Sequence, residues 1–217
     1  YDGERGFAVS RACVLAKEMV DIVRAYNEES QKAGLPGLEL GVGITYQASP
    51  PMYLMDGSAR IMISEALNES DRLSSCSKEA RRLLPLGGPF NVYRFQLQRE
   101  GGNGEFEDTP LAYNVSGIQL NAAAFAKLQQ EISLQAQDVA MPTIWENEQM
   151  RLHRGLVPLD GGLFHTVVIR EARAARLSTR DYSPLGWSDS LYYEVCTNAS
   201  VYRFLEQGQA AKAGSAS

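Results

Sequence analysis

From residue 7 to about residue 31, Ala8, Ala12, Leu15, Ala16, Met19, Ile22, Val23 and Tyr26 recur every three or four positions, with Lys17, Glu18, Asp21 and Arg24 between them. That period predicts an amphipathic helix. Gly34 and Pro36 end it, one by taking a left-handed cap and the other by blocking continuation. The pattern then changes to alternation: Leu38, Leu40, Val42 and Ile44 fall on one face of a strand over residues 38–46, with Gly41 and Gly43 on the other. Glycine weakens a strand interior, so these two predict close approach by a helix or a ligand.

A Ser-Pro-Pro turn at residues 49–51 leads into a short strand at Met52–Met55 and a turn at Asp56-Gly57. Ser64 then reads as the N-cap of a helix that carries Asn68 and Arg72 and points Leu67 at the core. A short helix is expected over residues 77–84, a strand over 90–97, and a glycine-rich loop from Arg99 to Glu105 that marks a boundary. Beyond it the pattern predicts a strand over 111–120, then a helix capped by Asn121 and running to Ile132 through Ala124, Phe125 and Leu128. Extended segments at 143–158 and 163–177 follow, joined by a turn at Asp160-Gly-Gly. Residues 192–196 read as a further strand, 200–205 as a short helix, and 207 onward as a disordered Ala/Gly/Ser tail.

Composition bounds the functional classes. With 44% hydrophobic and 22% charged residues in 217, the chain can bury a substantial core. A net charge of -5 and a pI near 5.2 argue against a dedicated nucleic-acid or anionic-membrane surface. No apolar run reaches membrane-spanning length and no signal peptide opens the chain, so a cytoplasmic protein without membrane contact is expected. Cys13, Cys76 and Cys196 are far apart and read as free thiols in a reducing compartment.

The chemistry-bearing pattern is Asn68 with Arg72. A spacing of four on a helix puts both on one face, one turn apart. An amide beside a guanidinium suits a ribose oxygen and a phosphate whose charge grows during reaction. The plainer reading is a solvated helix face with Asp71 joining the cluster. Asp56 and Asp71 read as turn and surface residues, having no metal-ligand spacing. His153 and His165, on either side of the Asp160-Gly-Gly turn, can approach each other across a hairpin, but without a third ligand they read as strand-surface residues. Cys196 reads as a small core residue. Trp187, Tyr192, Tyr193 and Tyr202 read as core packing, with a binding platform as the alternative. Arg170, Arg173, Arg176 and Arg180 read as a solvated sheet edge and the best candidates for contacts to an acidic partner.

Residues 1–84, as helix, turn, Leu-Glu-Leu-Gly-Val-Gly-Ile strand, short hairpin and Ala-Leu-Asn-Glu-Ser-Asp-Arg-Leu helix, resemble the C-terminal half of class III adenylate and guanylate cyclase catalytic domains. Asn68, Arg72 and Leu73 match the family's helix motif, with Leu67 in place of its usual Val. The resemblance implies an α+β fold: a partial ferredoxin-like cyclase half over residues 1–98, with helices on an antiparallel sheet, followed by an accessory β-rich module over 106–207 and a tail over 208–217.

The resemblance further implies signal transduction by forming a 3',5'-cyclic nucleotide from ATP or GTP. Asn68 would orient the ribose and Arg72 would stabilise charge on the phosphates. It implies a homodimer with a composite, head-to-tail site. The Mg²⁺ or Mn²⁺ ligands would lie on strands ahead of Tyr1, outside this chain, so the chain is expected to be a piece of a longer polypeptide and inactive alone. Ile61 stands seven residues before Asn68, where adenylate cyclases often carry a base-reading Asp, which leaves the base preference open. The alternatives are a noncatalytic cyclase-like dimerisation or nucleotide-sensing module, and an unrelated α+β binding protein.

Overall fold

A computed structural model describes residues 7–75, 88–98, 106–113, 117–134, 141–198, 201, 203 and 205. The elements, in chain order, are α1 (Ala8–Lys32), β1 (Gly41–Ile44), β2 (Met52–Asp56), β3 (Ala59–Ile63), α2 (Glu65–Ser74), β4 (Val92–Gln98), β5 (Phe106–Tyr113), β6 (Gly117–Leu120), α3 (Ala122–Ser133), β7 (Thr143–Glu146), β8 (Met150–Pro158), β9 (Phe164–Ser178) and β10 (Pro184–Val195). The fold class is α+β. The helix expected over residues 77–84 and the tail lie outside the described residues.

An eight-stranded sheet runs β1-β6-β10-β9-β4-β5, with β8 paired to β9 and β7 to β8, while β2 and β3 form a separate hairpin. The sheet is mixed rather than antiparallel. β1 and β6 are parallel, as are β4 and β9, and neither pair is consecutive in the chain, as parallel pairing with its long crossover requires. The stretch read as one strand over 111–120 is two, β5 and β6, on different parts of the sheet. Strands from both sides of residues 99–105 share this sheet, and β4 pairs with β5 across that segment as a hairpin does.

Alternation along β1 sends neighbouring residues to opposite faces. On one face Ile44, Ile118, Leu120, Val167, Ile169 and Val195 meet α1 and α3, with Phe125 of α3 stacked on Tyr193 at 4.5 Å between centroids. On the other, α2 covers β1, and residues around Phe90 with Val201 and Leu205 cover Leu152 and Val168.

The first turn of α1 has no side-chain cap of its own, since Phe7 precedes it. Its donors go to Glu131 of α3: Val9 N at 3.2 Å, Ser10 N at 2.7 Å and Ser10 Oγ at 2.6 Å. A buried carboxylate thus meets the positive end of a helix 25 residues long, where charge and hydrogen bonding act together.

The helix docks through Val9, Cys13, Ala16 and Val20, all buried. The stripe Leu15, Met19, Ile22 and Tyr26, expected to face the core, is instead exposed. β2 and β3 are also exposed along their whole length and largely apolar, from Met52 to Met55 and from Ile61 to Ile63, with Asp56 and Arg60 at the turn end. Among the described residues, no helix is long and apolar enough to cross a membrane.

Candidate functional site

The position of α2 is set residue by residue. Ser64 caps it, its Oγ accepting from Leu67 N at 3.3 Å and donating to Gln47 Oε1 at 2.7 Å. Thr45 Oγ1 donates to the Ala66 carbonyl, and Gln119 Nε2 to the Leu73 carbonyl at 3.0 Å. The closest approach is at Gly43, where a Cβ would lie 2.3 Å from the Ser70 carbonyl oxygen and 2.9 Å from Leu73 Cβ. Ser70 Oγ donates to the Gly43 carbonyl at 2.7 Å in return. The strand glycine therefore marks a helix contact. Leu73 fills the core beneath α2, whereas Leu67, expected there, is half exposed, its position on the helix falling on a different face from Leu73.

With Leu73 inward, Asn68 and Arg72 both stand on the exposed side of α2. The Arg72 guanidinium lies 3.9 Å from Glu69 and is 54% exposed. An exposed pair of that geometry is worth about 0–1 kcal/mol, so Arg72 can leave it for a phosphate at little cost. Glu69 is the member that motif reading missed. Its other oxygen accepts from Asn121 Nδ2 at 2.7 Å, and Asn121 Oδ1 caps α3 through Ala124 N at 2.7 Å. The candidate site is thereby tied to the ends of two parallel strands, β1 and β6. The available signal was Asn121 at a helix start, but nothing in sequence pairs it with a residue 52 positions away.

The nearby acids supply no metal centre. Asp71 uses its backbone carbonyl to accept from Ser74 and Ser75, and Asp56 closes the β2–β3 hairpin opposite Ala59. Among the described residues, no group of three His, Cys, Asp or Glu side chains can hold a metal ion, so these residues do not fit the Mg²⁺ or Mn²⁺ pair.

The other candidate residues take structural places. His153 and His165 are not cross-strand partners: His153 pairs with Ile169, and His165 with Val157. His153 is buried against Phe125, its Nδ1 is 3.2 Å from Thr143 Oγ1, and burial lowers its pKa below the ordinary 6.5. Burial lowers that of His165 as well. Burial and the Glu131 charge push the Cys13 thiol up to about 12, and burial raises Cys196 well above its usual range. Both cysteines are free, buried and poorly suited to act as nucleophiles. Cys76 lies outside the described residues.

The arginine run is solvated in part, Arg173 and Arg180 being exposed and Arg176 half-buried, but it does not lie on a sheet edge and Arg170 is buried. β9 is bordered by β10 on one side and by β8 and then β4 on the other. Arg170 is 4% exposed and donates to Glu194 at 2.9 Å, to the Tyr192 hydroxyl at 3.0 Å and to the Val92 carbonyl. Its guanidinium also lies over the rings of Phe90 and Tyr192, at 4.4 and 5.0 Å from their centroids. Tyr192 and Tyr193 are buried but Trp187 is half exposed, and Tyr202 lies outside the described side chains. Comparison with family models, curated proteins and solved structures gives no match to this chain.

Proposed function

We propose that this chain is the half of a class III nucleotidyl cyclase that reaches across a dimer interface, Asn68 holding the ribose and Arg72 meeting charge on the nucleoside triphosphate. The observation that carries the reading is the seating of α2 on Gly43 of β1, which leaves Asn68 and Arg72 together on the exposed side of the helix. The parallel β1–β6 pair, with α2 packed across it and joined to α3 through Glu69 and Asn121, gives that face a rigid base. The apolar β2–β3 hairpin and the outer stripe of α1 supply surface for a second subunit.

In this reading Arg72 stabilises the charge that develops as the ribose 3'-oxygen attacks the α-phosphate and pyrophosphate leaves. Arg72→Ala in the full-length dimer is expected to lower turnover of ATP or GTP about 100- to 1,000-fold with dimerisation intact. Unchanged turnover would remove Arg72 from the mechanism.

A second reading, a noncatalytic cyclase-like module for dimerisation or nucleotide sensing, draws on Ile61. It is exposed on β3 and paired with Leu54, an apolar side chain where a base-reading acid would be needed, although Arg60 beside it stacks over Tyr53. A full-length dimer that binds nucleotide without turning it over, and loses dimerisation with Leu54→Asp, would establish this reading over the first.

A further inference from the structure

A cavity of about 260 Å³ opens where β9 changes neighbours. Along one edge, β9 pairs with β8 as far as Met150↔Ala172 and with β4 from Phe95↔Ala175 onward, so the two strands part around Arg173. On the opposite edge the register with β10 also breaks, between Trp187↔Ala175 and Leu191↔Arg173. A sheet that loses regular pairing on both sides of one strand leaves room between its side chains. Small residues, Ala172 and Ala175, line the floor.

The walls have a definite chemistry. Five aromatic rings line the space: Phe90, Tyr93, Phe95, Trp187 and Tyr192. Arg170 holds several of them in place from below, lying over Phe90, Tyr93 and Tyr192 while Glu194 neutralises its charge. That leaves Arg173 as a cation facing the opening, 48% exposed and 4.0 Å from an Asp189 carboxylate that is itself fully exposed. Arg94 adds a second positive side chain, and no carboxylate is among the described residues that line the cavity. A lining rich in aromatic rings, with guanidinium charge beside them, suits a planar aromatic anion.

We infer that this cavity is a binding site for a small planar aromatic molecule carrying a negatively charged group, its ring among Trp187, Tyr93 and Phe95 and its anion on Arg173. None of the lining residues belongs to α2, so the site stands whether or not Asn68 and Arg72 act in cyclisation.

Isothermal titration of the 217-residue chain tests it, using GMP and naphthalene-2-carboxylate as aromatic anions, guanosine and naphthalene-2-methanol as neutral counterparts, and inorganic phosphate as an anion without a ring. At least one aromatic anion should saturate with a Kd below about 1 mM, and its neutral counterpart and phosphate should bind about tenfold more weakly or worse. Arg173→Gln should weaken the anion about tenfold while changing its neutral counterpart by less than about twofold. Ala175→Leu, which fills the floor, and Trp187→Ala, at a half-exposed position, should each remove binding while the thermal transition is retained. No saturable heat from either aromatic anion up to about 5 mM would overturn the proposal, as would binding that survives both cavity variants.

Discussion

Replacing Gly43 by alanine tests the link between the sheet and the candidate site at its tightest point. The new methyl would sit 2.3 Å from the Ser70 carbonyl oxygen and 2.9 Å from Leu73 Cβ. Both belong to parts of α2 that no rotamer change can move, so the helix itself must back away by about 1 Å to escape steep repulsion. Overpacking of this kind costs about 1–3 kcal/mol, and loosening the 2.7 Å Ser70–Gly43 bond costs about 1 kcal/mol more. Opposing these, alanine restricts the unfolded chain and returns about 0.4–1 kcal/mol, since Gly43 has no positive φ that alanine would resist. The net expectation is a loss of about 2 kcal/mol, read as a shift in the urea midpoint at constant slope. Amide exchange should rise first in α2.

Gly155→Ala is the matched control. Its Cβ would lie 2.6 Å from Ile132 Cδ1, the far end of a flexible side chain, so the cost should stay below about 1 kcal/mol. Under the proposed cyclase reading, a displacement of about 1 Å in α2 should also lower turnover about 100-fold. Wild-type or greater stability in Gly43→Ala would show that α2 is not seated on β1 as described.

Glu131→Gln keeps the shape of the α1 cap but sets an amide NH₂ against donors and removes the charge at the helix end. It should cost about 3 kcal/mol in urea denaturation, and a loss under about 1 kcal/mol would refute the capping role. Acid should weaken the fold through His153, whose folded pKa lies below 6.5. Between that lowered value and 6.5 the unfolded chain holds the proton and the folded chain does not, so stability falls as pH drops through the window. His153→Gln should flatten the slope of melting temperature against pH. His165, lowered in the same direction, will leave a residual slope of the same sign, and an unchanged slope would exclude His153.

Local signals were legible where one segment decides its own structure. The α1 and α3 periods and the Ser64 and Asn121 caps have short-range physical causes, and the structure carries each of them, whereas Gly43 signalled a close approach whose partner, α2, lies 27 residues on at Ser70. The departures come from partners distant in sequence. Arg170 reads as solvated until Glu194 and Tyr192, 24 and 22 residues later, are brought beside it. The outer stripe of α1 has the same spacing as the buried one, and only docking decides which faces the sheet. The aromatic cavity draws on β4, β8, β9 and β10, so no single segment carries its pattern. Asn68 and Arg72 could be selected as a pair from helical spacing alone, but Glu69 and Asn121 became visible only once β1 and β6 lay side by side.

The carboxylate at the head of α1 also sets a timetable. Val9 and Glu131 are 122 residues apart, and β1 waits for β6 across Gly41↔Gly117. At about 5–20 residues per second, a ribosome delivers Glu131 roughly 6–25 s after Val9. Until Glu131 arrives the first turn of the helix stays open, and β1 lacks its parallel neighbour until Gly117–Leu120 arrives slightly earlier. Protection of this segment on the emerging chain should therefore arrive as a late, single step, when α3 leaves the exit tunnel.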